Sequence, residues 1–298
     1  MIRIFATAFA ALVGLAFGSF LNVCLTRWPA GESVVKPRSH CRSCGRTLTW
    51  WENIPLISWL ALRGRCRTCG SLIGWRYALV ELAVGASWAA IMWQTISRLY
   101  GLIDLGVVSF SPLFALQLIL TVSAKAVFLW TLCGLAALDA EHLWLPDAVT
   151  LPGVGAGIAL ALPRVTPLVL KASLKAPLLE RLLQDVIAAL VAAGLILLIR
   201  WTYWLIRRRE GMGLGDAKLM AMLGAWLGLS GALLSFAIGV ITASIAALAL
   251  LAVPASRRGS ETWSMSKLPL GTFLCIGGIV STLWGQQIIA AYLHWAGF

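Results

Sequence analysis

Runs of about twenty apolar residues recur along this chain, and they decide what it can fold into. Phe5–Leu25 is one, and it carries no charged side chain. A helix needs about 20 such residues to cross the hydrocarbon core of a bilayer. Eight spans can be drawn: Phe5–Leu25, Ala78–Ile96, Leu113–Leu138, Ala148–Leu162, Leu182–Ile206, Ala217–Leu229, Ala232–Val253 and Leu270–His294. The fourth and sixth are short, and each starts just after an acidic motif, so each helix is expected to take in residues of its motif. Composition agrees. The chain is 60% hydrophobic and only 12% charged, where a soluble domain has about 25% charged residues. That excludes a soluble enzyme, a disordered chain and a disulfide-rich secreted module. The runs are also too long for the alternating ten-residue strands of a membrane β-barrel. The expected fold class is an all-α polytopic membrane protein with about eight transmembrane helices.

The charge is lopsided, with 24 Lys and Arg against 12 Asp and Glu. Basic loops stay in the cytoplasm. Nine basic residues fall in 26–77, five in 200–218 and three in 254–268. Six fall on the other side, and Lys125 lies inside the third span. This orients the chain with both termini outside and the 26–77 loop in the cytoplasm. Phe5–Leu25 is then an uncleaved first helix rather than a secretory signal, because one basic residue precedes it and nine follow. The region 163–181, with Pro163, Pro167 and Pro177, reads as an external loop. No internal repeat stands out.

The cytoplasmic loop holds Cys41-Arg42-Ser43-Cys44-Gly45 and Cys66-Arg67-Thr68-Cys69-Gly70. Two C-x-x-C pairs at this separation form a tetrahedral four-cysteine zinc site. Cys41, Cys44, Cys66 and Cys69 are therefore the candidate metal ligands. Disulfides or free thiols are the alternative, and a reducing cytoplasm disfavours disulfides. Four sulfur ligands leave no open position for water, so the metal would be structural, stapling a loop too small to hold itself. Six arginines near the cysteines are expected to lower the thiol pKa values. Cys24, Cys133 and Cys275, in apolar spans, read as small buried hydrophobes.

Two acidic motifs sit at the cytoplasmic ends of spans. Asp139-Ala140-Glu141-His142-Leu143-Trp144-Leu145-Pro146-Asp147 closes the third, and Gly211-Met212-Gly213-Leu214-Gly215-Asp216-Ala217-Lys218 opens the sixth. A carboxylate at membrane depth costs roughly 2.5–3.5 kcal/mol or more, which makes it a functional candidate. The alternating glycines are expected to take unusual dihedrals and to let another segment come close. Two readings stand on the residues alone. In one, Asp139 and Asp147 cap helix starts and Asp216 is an N-cap. In the other, two aspartates from separate helices form an aspartyl protease. Like charges a few ångströms apart cannot both ionise, so such a pair holds one proton, and its titration belongs to the pair.

Other functional classes compete with these. Gly228-Leu229-Ser230-Gly231 with His294 matches a rhomboid-like serine protease, but glycines on both sides of Ser230 are those of a turn. Three histidines without H-E-x-x-H argue against a zinc protease. An intramembrane carboxylate pair with Lys125 suggests a transporter, which would show inverted repeats. A nucleic-acid binder is disfavoured, because topology already accounts for the basic loop. Glu81, Lys125 and Asp185 are expected to pair with one another or with backbone, with substrate binding open to Glu81.

With these residues in view, the chain resembles the type IV prepilin leader peptidases, the bifunctional peptidase/N-methyltransferases of pilus and type II secretion systems. Gly18-Ser19-Phe20-Leu21-Asn22-Val23 looks like the family's opening motif. Pro37-Arg38-Ser39-x-Cys41, Trp50-Trp51-Glu52-Asn53-Ile54-Pro55-Leu56, Ser58-Trp59-Leu60, Arg63-Gly64-Arg65-Cys66 and Arg76-Tyr77-x-Leu79-Val80-Glu81 look like its cytoplasmic domain. Asp139-x7-Asp147 and Gly213-x-Gly215-Asp216 look like its two catalytic motifs. The resemblance implies Asp139 and Asp216 as the catalytic pair, with Asp147, Gly213, Gly215 and Lys218 as supporting residues. It implies three parts: a first transmembrane helix at 1–25, a cytoplasmic four-cysteine domain at 26–77 tied to methylation, and a transmembrane aspartyl peptidase domain at 78–298. The implied substrates are prepilins or pseudopilins with a short basic leader, a glycine before the cut and an apolar helix after it. The new N-terminus would be methylated with S-adenosylmethionine as donor. The implied setting is the bacterial cytoplasmic (inner) membrane, with the lipid bilayer as partner and no nucleic acid.

Overall fold

The computed structural model describes residues 1–104, 106, 111–160, 178–209, 213–252 and 268–297. The proline-rich stretch 163–177, Gly211 and nearly all of the basic segment 254–268 lie outside the described residues. Among the described residues the chain forms eight α-helices and no strand: α1 (Ile2–Arg27), α2 (Ile57–Ala61), α3 (Arg76–Asp104), α4 (Pro112–His142), α5 (Asp147–Ala159), α6 (Leu178–Arg207), α7 (Leu214–Ala252) and α8 (Leu270–Trp295). Six of them, all but α2 and α5, are long and apolar enough to cross a membrane. The chain is a multi-pass membrane protein. Large apolar side chains such as Leu190 and Leu248, 67% and 65% exposed, are those that only lipid can cover.

The chain divides into two compact units, Met1–Ala137 and Leu138–Phe298. In the first, α1 and α3 pair antiparallel. Gly14 lies against Val84, Gly85 and Trp88, and Gly18 against Val80 and Glu81. Small residues at such crossings let two backbones approach where no water drives them together. The part of α4 in this unit joins the pair through indole N–H groups. Trp88 donates to the Ala126 carbonyl and Trp130 to the Phe17 carbonyl, both at 3.0 Å. The cysteine loop leaves from one end of this hairpin. It is tied back where Asn22 Nδ2 donates to the Tyr77 carbonyl at 2.9 Å and Arg76 donates to Thr26 Oγ1 at 3.1 Å.

In the second unit, α7 is not one rod. At 1.5 Å per residue its length would be about 58 Å, far more than a bilayer core of about 30 Å. Gly228, at φ 72° and ψ 176°, breaks it. The contacts show that the chain turns back there. Gly231 accepts from Ser281 near the middle of α8, while Gly239 packs on Leu274 and Gly215 meets Leu145, which also touches Gly271 at the start of α8. The start of α7 and Gly239 in its second half therefore both lie near the first turns of α8. The expected spans Ala217–Leu229 and Ala232–Val253 are the two arms, with Ser230 exposed in the turn.

The short helix α5 runs parallel to the first arm. Gly153 lies on Met222, Gly157 lies on Ala225 and Trp226, and Trp226 Nε1 donates to the Gly153 carbonyl at 2.8 Å. Its 13 residues reach only about 20 Å, so it does not cross a membrane unaided. α6 covers the same arm, with Ala188 and Ala189 against Gly224. The outcome is a bundle in which the end of α4 and the starts of α5, α7 and α8 meet.

Candidate active site and metal centre

Asp139 lies in the last turn of α4. The helix ends because Leu143 takes φ 50° while its N–H still reaches the Asp139 carbonyl at 2.9 Å. A leucine in that left-handed region costs about 1–3 kcal/mol, strain of a kind that gathers at functional sites. The next residues reverse the chain, and α5 starts at Asp147. Leu145, 7% exposed, points into the bundle from this turn.

Asp216 is the third residue of α7. Its Oδ2 accepts the N–H of Gly213 at 3.3 Å. That is the reach-back of a capping box, so Asp216 supports its own helix start from the third position rather than from the cap itself. Asp139, at the end of α4, caps no helix start adjoining it in the chain; its carboxylate meets the first turn of α8. Asp139 and Asp216 are 5% and 8% exposed. One clamp links their surroundings. Leu145 packs on Gly215, where an added Cβ would sit 3.2 Å from the leucine Cβ, and on Gly271, beside the Asp139 carboxylate. Asp139 Oδ2 in turn accepts the Thr272 N–H at 2.7 Å and the Thr272 hydroxyl at 3.2 Å.

The glycines around Asp216 differ from expectation. Neither Gly213 nor Gly215 has a positive φ. Gly215 serves close approach instead, making room for Leu145. Asp147 and Lys218 meet at 2.6 Å and join the start of α5 to the first turn of α7. Their side chains are 59% and 33% exposed. Such a pair contributes under about 1 kcal/mol. Lys218→Met is therefore expected to shift the thermal unfolding of the purified protein by no more than that. A larger loss would make this pair a main support of the bundle.

The other candidate centre lies wholly in the first unit. The four sulfurs of Cys41, Cys44, Cys66 and Cys69 lie within 4.8 Å of one another, and Cys41 and Cys69 are 3.8 Å apart. A tetrahedral zinc with bonds of about 2.3 Å has sulfurs about 3.8 Å apart, so the group fits. The two knuckles are near copies, shifted by 25 positions. Cys41 N–H bonds the Arg46 carbonyl as Cys66 N–H bonds that of Ser71, and Gly45 N–H bonds Cys41 as Gly70 N–H bonds Cys66. Bridges His40 to Thr47 and Arg65 to Leu72 close both turns. Gly45 and Gly70 take φ 70° and 71°, which an L side chain rarely adopts. This local repeat escapes a search at the scale of whole helices.

The Cys44 N–H, then the Ser71 hydroxyl, draw the Cys41 thiol down to about 6, and Ser71 also lowers Cys69. Arg46 is shared between Glu52 and Cys66. It binds Glu52 at 2.6 Å and, with the Thr49 donors, holds that carboxyl down at about 2. Arg67 lies over the Trp51 ring, and Arg42 donates to the Thr26 carbonyl at 3.3 Å. Glu81 pairs with backbone, as one of the two expectations had it. Its Oε2 accepts the N–H of Leu56, which is held at φ 58°. His142 faces Glu141 at 3.9 Å.

Sequence reasoning missed Leu145, Gly271, Thr272 and Ser71. The signal for two of them was Pro269-Leu270-Gly271-Thr272, a proline and a glycine opening the last helix.

Comparison with known proteins finds two family models along the chain. Residues 12–95 match the model of the Bacterial Peptidase A24 N-terminal domain, and residues 126–248 match the Type IV leader peptidase family. The chain is 32% identical over 310 residues to a "Prepilin leader peptidase/N-methyltransferase" of Stutzerimonas stutzeri, covering 96% of this chain and 93% of the relative. It is 32% identical over 311 residues to the protein of that name in Pseudomonas aeruginosa, with the same coverage. With that of Myxococcus xanthus it shares 38% over 266 residues, 88% of this chain and 68% of the relative. No solved structure matches the chain.

Proposed function

The chain belongs to the type IV leader peptidase family, and from that premise we propose that Asp139 and Asp216 cut the leader from prepilins or pseudopilins. As a peptidase with an N-methyltransferase activity, it then methylates the new N-terminus. The observation that carries the peptidase reading is the pair itself. Two acids from different helices are buried at one end of the bundle, where Leu145 packs both on Gly215, next to Asp216, and on Gly271, which touches Asp139.

The chemistry follows from that pair. The ionised carboxylate takes a proton from water, the protonated one polarises the scissile carbonyl, and the hydroxide equivalent adds to carbon. Collapse breaks the C–N bond and passes a proton to the departing amine, which becomes the substrate's new N-terminus. In the methyl-transfer step, S-adenosylmethionine supplies the methyl group that this amine takes up. The substrate class is one with a short basic leader, a glycine at the cut and an apolar tail that enters the bilayer.

Basic segments at 26–77 and 200–218 favour the arrangement in which the cysteine loop and both aspartates face the cytoplasm of a bacterial inner membrane. Cys41, Cys44, Cys66 and Cys69 would hold one structural zinc, which crosslinks the two knuckles. The functional division is then a first helix at 1–25, a four-cysteine domain at 26–77 associated with methylation, and a peptidase domain at 78–298. The transporter and serine-protease readings have no observation in their favour.

The test is co-expression with a candidate prepilin and mass measurement of its N-terminus, which reports leader loss and an added methyl together. An uncut prepilin would sink the reading. Cleavage is expected without S-adenosylmethionine, with methylation alone lost. Strict dependence of cleavage on the donor would mean that the two activities share one step.

A further inference from the structure

The first turn of α8 has no titratable side chain, yet it grips Asp139. Thr272 gives the carboxylate both its N–H, at 2.7 Å, and its hydroxyl, at 3.2 Å. The first four N–H groups of a helix have no partner within it, so donating them to Asp139 leaves no intrahelical bond unmade. The positive end of the helix dipole also favours an anion there. Gly271 makes the approach possible. A Cβ at this position would lie 2.8 Å from Asp139 Oδ2 and 2.9 Å from Leu145 Cδ1. Asp216 is held differently, by a 3.3 Å bond from its own helix start.

We propose that Gly271–Thr272 is the positioning element of the aspartate pair. It holds Asp139 through Oδ2 and turns Oδ1 toward the attacking water. This rests on the aspartate pair being the peptidase centre. The orientation of Asp216 is local to α7, whereas that of Asp139 is imposed by a residue 133 positions further along the chain. Misplacing a reacting group by about 1 Å can cost about a hundredfold in rate, so the element sets kcat rather than substrate binding.

The experiment uses the full-length protein in detergent. The probe is a synthetic peptide with a basic leader, a glycine, a phenylalanine and an apolar tail. Thr272→Val keeps the shape and the N–H but removes the hydroxyl. Its kcat is expected to fall about tenfold with KM within about twofold, and Thr272→Ser is expected to restore wild-type kcat. Gly271→Ala is expected to lower kcat about a hundredfold, and adding Leu145→Ala is expected not to restore it, because the clash with Oδ2 remains. Thr272→Val with wild-type kcat would overturn the proposal. So would rescue of Gly271→Ala by Leu145→Ala, since the glycine would then serve only to seat the leucine. If Gly271→Ala does not fold, the Thr272 pair decides. Full activity in Asp139→Asn would bring down the aspartyl reading and this inference together. An inactive Asp139→Asn beside fully active Thr272→Val and Gly271→Ala would remove this inference alone.

Discussion

Asp139→Asn and Asp216→Asn are each expected to lower leader cleavage by about 10²–10⁴-fold or more while the protein still folds and inserts. Asparagine keeps the shape of the side chain, so the Thr272 contacts to residue 139 and the Gly213 contact to residue 216 survive in part. What is lost is the ability to hold and pass a proton. Each variant should fail almost as completely as the double variant, because the two groups act as one unit and their losses do not add. The readout is cleavage of a prepilin, alongside unfolding temperature and membrane extraction to show that the fold is kept. Ser230, exposed in the turn after Gly228, supplies the control. Ser230→Ala is expected to cleave normally. Loss of cleavage in Ser230→Ala with Asp216→Asn still active would overturn the aspartyl assignment in favour of a serine nucleophile.

Removing the metal is expected to undo the cysteine loop. Structural zinc in small knuckle peptides is worth an apparent 10–16 kcal/mol near neutral pH. The loop has little core of its own. Trp50, Trp75 and Leu72 are 76%, 70% and 79% exposed, and Cys66 is the one buried cysteine of the four. Cys41→Ser or Cys66→Ser should therefore lose one bound zinc and open 26–77 to trypsin, which cuts after its arginines and lysine. Elemental analysis of the purified protein gives the metal content, and limited proteolysis reports the loosening. Wild-type protein carrying no zinc would sink the metal assignment and leave the cysteine cluster as free thiols.

Much of this was legible before any coordinates. The eight apolar runs, including the pair divided near Gly228, follow from hydropathy, because lipid tolerates no exposed backbone polar group and so forces each run into a helix. The two C-x-x-C-G knuckles are local, since five consecutive residues shape each turn. Asp139 and Asp216 were marked by the cost of a carboxylate at membrane depth. The cap reading of Asp216 was half right for a local reason: its Gly213 bond lies within a single helix start. Counting arginines in the loop did not reveal that Ser71 and backbone N–H groups act on Cys41 and Cys69, or that Arg46 is shared between Glu52 and Cys66.

Hydropathy, charge and motif spacing were enough to mark a helical membrane protein, two acidic motifs and two C-x-x-C knuckles, because each motif lies within a few neighbouring residues, whereas the choice of Asp139 and Asp216 as the pair came from the family resemblance. They had no means of showing that the start of α8 closes on Asp139, or that Leu145 wedges between Gly215 and Gly271. Those contacts join segments tens to more than a hundred residues apart. They exist because packed helices bring their ends together, and glycine spacing alone does not reveal which neighbour will fill the room it leaves.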